Sequence, residues 1–130
     1  MRTSKSIEQL ENDFWKDIDY PTGLIESCHK YRKIPISELT IEQLRLLIGQ
    51  KIGLKYILPE AVTILDKDVL AEGDHYPGDL LNAMLTLNNE DWRQCPTLRE
   101  SFHKLVKRQF PVIESIGNRK LLRTINENLL

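Results

Sequence analysis

Apolar residues recur at helical spacing in almost every interval between the glycines and prolines of this chain. The clearest stripe follows Thr40 and consists of Ile41, Leu44, Leu47 and Ile48. Glu42, Gln43 and Arg45 fall on the other side, so the segment predicts an amphipathic helix with an exposed polar face. Capping boxes that begin helices are predicted where Ser or Thr precedes Gln or Glu by three positions, at Ser6–Gln9, Thr40–Gln43 and Thr97–Glu100.

Two N-terminal helices are predicted from their caps and from a proline. Ser6 predicts a helix that runs to about Phe14, and Thr22 predicts the cap of a second helix. The second helix must end before Pro35, because proline disfavours helical backbone at the residue that precedes it.

A proline interrupts the apolar segment that follows Gly53. Since proline lacks an N–H and is tolerated in the first turn of a helix, we expect a short helix before Pro59 and another from Pro59 to about Lys67. A strand over residues 54–58 is the alternative, but no other segment of the chain is a candidate partner for it.

The C-terminal half predicts three further helices. Pro77-Gly78-Asp79 opens the first, Pro111 ends the second, and the third begins at about Asn118. Because no paired strands are indicated, we predict an all-α fold, a single domain of residues 1–130 built from six or seven short helices.

Composition agrees with a folded domain and excludes several classes of protein. The 130 residues are 41% hydrophobic and 28% charged, which is typical of globular chains and not of disordered ones. The net charge of −1 lacks the basic excess of a dedicated nucleic-acid binder. No apolar run would span a bilayer, and the N-terminus lacks the apolar core of a secretion signal. We expect a cytoplasmic protein that binds neither nucleic acid nor membrane directly.

Charge is unevenly distributed along the chain. Residues 1–65 are balanced, residues 66–91 have a net charge of −6, and residues 92–130 have a net charge of +5. One interpretation is that the two charged blocks fold against each other or solvate separate faces. The other is that the acidic block is a recognition surface, because four of its carboxylates lie in or beside the segment 71–79, whose glycines and prolines predict an exposed loop.

No motif for catalysis or metal binding is present. His29, His75 and His103 are widely separated, and the usual nucleotide-binding and hydrolase signatures are absent. Asp74, His75 and Asp79 match no standard metal spacing. We therefore expect no catalytic residue, no metal and no cofactor.

The two cysteines are expected to be reduced and without a catalytic role. Cys28 and Cys95 are 67 residues apart and form no C-x-x-C pair. Cys28 and His29 are adjacent, so on a helix their side chains point about 100° apart and cannot act as a nucleophile and its base.

Three runs of sequence have an order of residues that generic helical patterns do not explain. Ser37–Pro59 contains LRLLIGQKIGLKY, Leu70–Leu81 contains AEGDHYPGDLL, and Ile7–Trp15 precedes both. Together with the Cys28-His29 pair, these runs resemble a family of bacterial contact-dependent growth inhibition immunity proteins. The resemblance covers about residues 7–88.

The resemblance implies a protein that is not an enzyme and that binds and neutralises the C-terminal toxin domain of a cell-surface effector. Such toxins are often nucleases, with an RNase favoured here, and a nuclease presents a cationic groove to its substrate. An acidic loop complements such a groove, so the toxin-binding residues are expected to be Glu72, Asp74, His75, Tyr76 and Asp79.

A structural role for the same segment remains open. Asp79 would then cap the following helix or place its carboxylate at the positive end of that helix, with Tyr76 packed underneath. For the whole protein, the competing functions are a helical adaptor and, less favoured, a small enzyme of unknown type.

Overall fold

Nine α-helices and one 3₁₀ turn account for the regular structure of the computed structural model, which describes residues 4–16 and 22–129. The helices are α1 (Ile7–Glu11), α2 (Gly23–Tyr31), α3 (Ile41–Gly49), α4 (Leu54–Lys67), α5 (Asp79–Leu85), α6 (Asn89–Trp92), α7 (Pro96–Arg108), α8 (Phe110–Ser115) and α9 (Arg119–Leu129), and the 3₁₀ turn is Ile36–Glu38. The described residues contain no strand beyond two isolated bridges, which confirms the all-α prediction. In the same part of the chain, no helix has both the length and the apolarity needed to cross a membrane.

The core lies around α3 and α4. Helix α3 packs against α2, α4 and α5, helix α4 also contacts α7 and the 3₁₀ turn, and α9 packs against α5. The predicted stripe on α3 supplies Leu44, Leu47 and Ile48, which are completely buried. Each such side chain contributes about 1.5–3 kcal/mol by leaving water, so this stripe is a main reason why the helices assemble.

The N-terminal caps form as predicted. Ser6 accepts from Gln9 N while the Gln9 side chain accepts from Ser6 N, and Thr40 and Gln43 form the same box. Thr22 caps α2. Helix α1 ends at Glu11 rather than near Phe14, because Asn12 adopts a left-handed backbone with φ of 53°.

The predicted break at Pro59 is wrong, and so is the alternative strand. Helix α4 is continuous through Pro59. The proline cannot donate to the carbonyl of Lys55, four residues earlier, but the Cys95 thiol lies 3.8 Å from that oxygen and supplies a weak donor. Burial of one face of the helix also favours continuity, through Ile57, Leu58, Ala61 and Leu65.

Two prolines begin C-terminal helices at positions that the sequence did not predict. The Thr97–Glu100 capping box is wrong, because α7 begins at Pro96, whose fixed φ suits the first helical position. A box at Asn88–Asp91 instead begins α6. Pro111 lies in the first turn of α8, so it starts a helix as well as limiting α7. The short α6 and α8 explain why the described residues hold nine helices rather than six or seven.

Candidate functional site

The connection between α4 and α5 is a narrow loop whose ends are held together. Gly78 N donates to Leu70 O over 3.2 Å, and Glu72 and Pro77 form an isolated antiparallel bridge. Gly78 has a φ of 92°, a left-handed conformation that glycine adopts without strain. We call residues 72–79 the acidic loop.

Three consecutive backbone N–H groups of the acidic loop donate to two carboxylates beneath it. Gly73 N donates to Asp79 Oδ1 over 2.7 Å, and His75 N donates to Asp79 Oδ2 over 3.1 Å. Between them, Asp74 N donates to Glu42 Oε1 of α3 over 3.0 Å. Because hydrogen bonds to charged acceptors are stronger than neutral ones, the loop backbone is fixed to both α3 and α5.

Arg45 holds the two carboxylates in place. Its guanidinium binds Glu42 through two hydrogen bonds, with Nε 2.7 Å from Oε1 and Nη2 2.5 Å from Oε2. Nε also lies 4.0 Å from Asp79 Oδ2. The hydrogen bond from Arg45 lowers the pKa of Glu42 and, despite partial burial, the Asp74 N–H lowers it further.

Gly73 has no room for a larger side chain. A Cβ there would lie 2.5 Å from Glu42 Oε1 and 3.2 Å from Glu42 Cα. A Cβ would therefore displace the Glu42 carboxylate and would press the backbone of α3 away by a few tenths of an ångström. Glycine at this position therefore allows the acidic loop to approach α3 closely.

The five predicted site residues divide into a surface group and a buried support. Glu72, Asp74 and His75 are exposed, and Tyr76 is half-buried. Asp79 is only 3% exposed. Asp79 is the first residue of α5, so its carboxylate lies at the positive end of that helix, as one form of the structural alternative expected. It does not cap the helix, because Gly78 is the cap residue and no side-chain hydrogen bond is made there. By accepting from Gly73 N and His75 N, Asp79 supports the loop from below.

Two residues that hold the acidic loop were missed by the sequence analysis. Glu42 and Arg45 were expected on the exposed face of their helix, but their side chains are only 17% and 21% exposed, respectively. Their spacing of three residues on a helix was the available signal, because it places opposite charges side by side. Nothing local indicated that a loop more than 30 residues away would cover the pair.

The acidic block is only partly a free surface. Asp66 pairs with Arg108 at 2.5 Å, which joins the acidic and basic blocks as one interpretation expected. The Asp91 side chain accepts from Asn88 N in the capping box of α6 and lies 2.9 Å from Lys51 Nζ. In contrast, the side chains of Glu72 and Asp74 are exposed and form no ion pair within the described part of the chain. Asp68, just before the loop, is likewise exposed and has no ion pair among the described residues. The uncompensated charge of the acidic block therefore lies on the acidic loop and directly before it.

The support beneath the loop predicts a specific dependence of stability on pH. The folded-state pKa of Glu42 lies below its ordinary value of 4.5, so its contribution is fully present above that pH and is lost as the pH falls through the lowered value. Glu42→Gln has no such carboxylate to protonate. We expect it to lose less unfolding free energy than the wild type between about pH 6 and about pH 3, measured by urea denaturation. Equal losses in the two proteins would contradict this expectation.

The three histidines lie on three different elements, His29 on α2, His75 in the acidic loop and His103 on α7. No group of three or more His, Cys, Asp or Glu side chains within the described residues is arranged to hold a metal ion. His29 is buried and stacks on Trp15, whereas His103 lies on α7 beside Phe102. Burial, together with Arg99 and Lys107, lowers the pKa of His103.

Both cysteines are free thiols. Cys28 is buried in the core, and burial raises the pKa of its thiol, which disfavours the nucleophilic thiolate. Cys95 is half-buried and is the residue that contacts the Lys55 carbonyl. Both environments fit packing roles.

A second concave region has mixed charge. An open cleft of about 590 Å³ is lined by Glu11, Asp13, Lys55, Tyr56 and Gln94. Glu11 and Asp13 also face the buried Arg32. The cleft therefore lacks the uncompensated negative charge that distinguishes the acidic loop.

Comparison with known proteins assigns the chain to a family. A family model described as CDI immunity proteins, where CDI denotes contact-dependent growth inhibition, matches residues 9–102. No curated protein and no solved structure matches the chain. The matched region includes α3, the acidic loop and α5, and therefore every residue of the support described above. Since the match covers more than half of the 130 residues, the chain belongs to the family of CDI immunity proteins.

Proposed function

We propose that this immunity protein neutralises its cognate toxin by direct binding through the acidic loop. The toxin surface that it binds is cationic, as expected of the substrate groove of a nuclease, and an RNase is the favoured class. The observation that carries the proposal is the inward direction of three successive loop N–H groups, at residues 73–75. This arrangement leaves the side chains of Glu72, Asp74 and His75 exposed on a fixed backbone.

The charge of the loop fits this role. Glu72 and Asp74 form no ion pair within the described residues, so binding a Lys or Arg of the toxin requires no internal pair to break. Complementary charge also accelerates association and selects the partner. Tyr76 supplies a half-buried aromatic ring beside the carboxylates, a residue type that often anchors protein interfaces.

Inhibition of this kind needs no chemistry by the immunity protein. A nuclease holds its substrate through phosphate contacts, and carboxylates placed against the same cations compete with those phosphates. The loop would then block substrate binding for as long as the complex persists. Tight binding together with loss of toxin activity distinguishes this function from that of a helical adaptor or an enzyme.

A triple variant tests the contribution of the acidic loop. We expect Glu72→Gln, Asp74→Asn, Tyr76→Ala to bind the purified cognate toxin domain about thirtyfold more weakly, since loss of interface anchors commonly removes about 2 kcal/mol. Its affinity should also depend less on salt concentration, because two interfacial charges are gone. Calorimetric titration at two salt concentrations measures both effects, after thermal unfolding has shown an unchanged melting temperature.

The matched control removes the same kinds of group elsewhere. Glu100→Gln, Glu114→Gln, Phe14→Ala also deletes two exposed carboxylates that form no ion pair among the described residues, and one exposed ring. This control should retain wild-type affinity. If the control loses affinity and the loop variant does not, the toxin binds another surface.

A further inference from the structure

One arginine links the two carboxylates that hold the acidic loop. Arg45 forms the two-bonded pair with Glu42 of α3 and approaches Asp79 of α5 at 4.0 Å. Those carboxylates together accept all three inward N–H groups of the loop. Within the described residues, no other cation lies within ion-pair distance of either carboxylate.

We propose that Arg45 is the positioning residue of the acidic loop, fixing it in the toxin-binding conformation before the toxin arrives. The proposal rests on the proposed function, because it concerns the same loop. Arg45 lies on α3 and its side chain is only 21% exposed, so it acts through Glu42 and Asp79. Its effect on binding is thus separable from that of the exposed loop side chains.

The need for a cation at this point follows from the position of the carboxylates. The point where a Cβ of Gly73 would lie is 2.5 Å from Glu42 Oε1 and 3.1 Å from Asp79 Oδ2. Two carboxylates so near one point of the backbone repel each other, and a cation close to both of them offsets that repulsion. Without Arg45, the Glu42 side chain is free to rotate toward solvent, and Asp74 N then loses its acceptor.

Loss of that acceptor affects toxin binding through the fraction of molecules with an ordered loop. If only a fraction of the protein is competent to bind, the apparent dissociation constant rises by the inverse of that fraction. If the loop becomes ordered only on binding, the entropy that it loses offsets part of the interaction free energy. A loop that is already ordered avoids this loss. A rigid acidic loop therefore suits a partner whose cationic groove is itself rigid.

The test compares Arg45→Met with a variant that loses an arginine elsewhere. We expect Arg45→Met to bind the toxin domain about tenfold more weakly, mainly through a slower association rate. We also expect hydrogen exchange at the amides of residues 73–75 to accelerate. Arg93→Met removes an arginine that is 77% exposed and should change neither measurement. Arg45→Lys should be intermediate, because lysine keeps the charge but cannot form the two-bonded pair.

The possible outcomes separate this proposal from the proposed function. Failure of the wild-type protein to bind the toxin would reject the proposed function and this proposal with it. Wild-type binding combined with unchanged affinity or unchanged amide exchange in Arg45→Met would reject this proposal alone. Should Arg45→Met fail to fold, Arg45→Lys gives the same test, since it leaves both carboxylates in place and removes only the two-bonded pair. Faster exchange and weaker binding in Arg45→Lys would support the proposal, and wild-type values would reject it.

Discussion

Replacing Arg32 with alanine is expected to lower the unfolding free energy by about 2–4 kcal/mol, because it removes a completely buried side chain together with its hydrogen bonds. The Arg32 side chain is 0% exposed. Its Nη2 lies 2.9 Å from Glu11 Oε1 and donates to Asp13 O over 2.8 Å. Its guanidinium carbon lies 4.1 Å from the centre of the Trp15 ring. Alanine would remove all three contacts and leave a cavity.

The position of Arg32 explains why this loss is large. Arg32 follows α2 directly, and its carbonyl accepts from Glu8 N of α1 over 3.1 Å. The side chain binds the segment after α1 at the same time. Arg32 therefore holds the N-terminal segment onto α2, and its removal should also loosen Trp15, which would keep its stacking contact with His29.

Urea denaturation followed by tryptophan fluorescence and circular dichroism measures this effect. The matched control is Arg93→Ala, since that arginine is 77% exposed and its change should stay within about 0.5 kcal/mol of the wild type. Arg32→Met should be less harmful than Arg32→Ala, because methionine fills the volume. Arg32 Nε and Nη1 also have no acceptor within the described residues, so their removal leaves no acceptor unpaired. A loss below about 1 kcal/mol in Arg32→Ala would contradict the prediction.

Short-range signals predicted most of the fold. The caps at Ser6, Thr22 and Thr40 depend on residues three positions apart, so the sequence contains all the information that they need. The stripe on α3 likewise follows from helical spacing alone. Both types of signal are confirmed because no tertiary contact competes with them.

The errors arose where two signals competed or where a distant residue decided the outcome. At Thr97 a capping box competed with the preceding Pro96, and the fixed backbone of proline determined where the helix began. At Pro59 the helix continues with help from Cys95, whose thiol contacts the carbonyl of Lys55, 40 residues earlier in the sequence. Such a partner cannot be read from local sequence.

The candidate site shows the same division. The glycines and prolines predicted a loop, and the charge count predicted its acidic character. The different roles of the loop residues depend on the hydrogen bond from Asp74 N to Glu42, and these residues are 32 positions apart. Only the three-dimensional structure separates the exposed Asp74 from the buried Asp79, since both are aspartates in one short run.

The largest effect within the acidic loop is expected from Asp79→Ala. Removing the carboxylate leaves Gly73 N and His75 N without their acceptors. Hydrogen bonds to a charged group contribute about 1.5–3 kcal/mol each, and solvent can reach the exposed His75 in part, so we expect a loss of about 2–4 kcal/mol in unfolding free energy. Because the loop backbone is then released, toxin binding should weaken as well, by tenfold or more.

Asp74→Ala is the matched control, because it removes the neighbouring aspartate whose side chain is exposed and forms no ion pair in the described chain. If Asp74 contacts the toxin and Asp79 supports the loop, Asp74→Ala should weaken binding with little change in stability, whereas Asp79→Ala should reduce both. Urea denaturation and titration with the toxin domain, performed on both variants, separate the two roles.

Asp79→Asn adds a further check. Its amide retains one acceptor oxygen but turns an N–H₂ group toward the second backbone N–H. The stability of Asp79→Asn should therefore lie between that of the wild type and that of Asp79→Ala. Wild-type stability in Asp79→Ala would show that the carboxylate does not hold the loop, and the support beneath the acidic loop would then have to come from Glu42 alone.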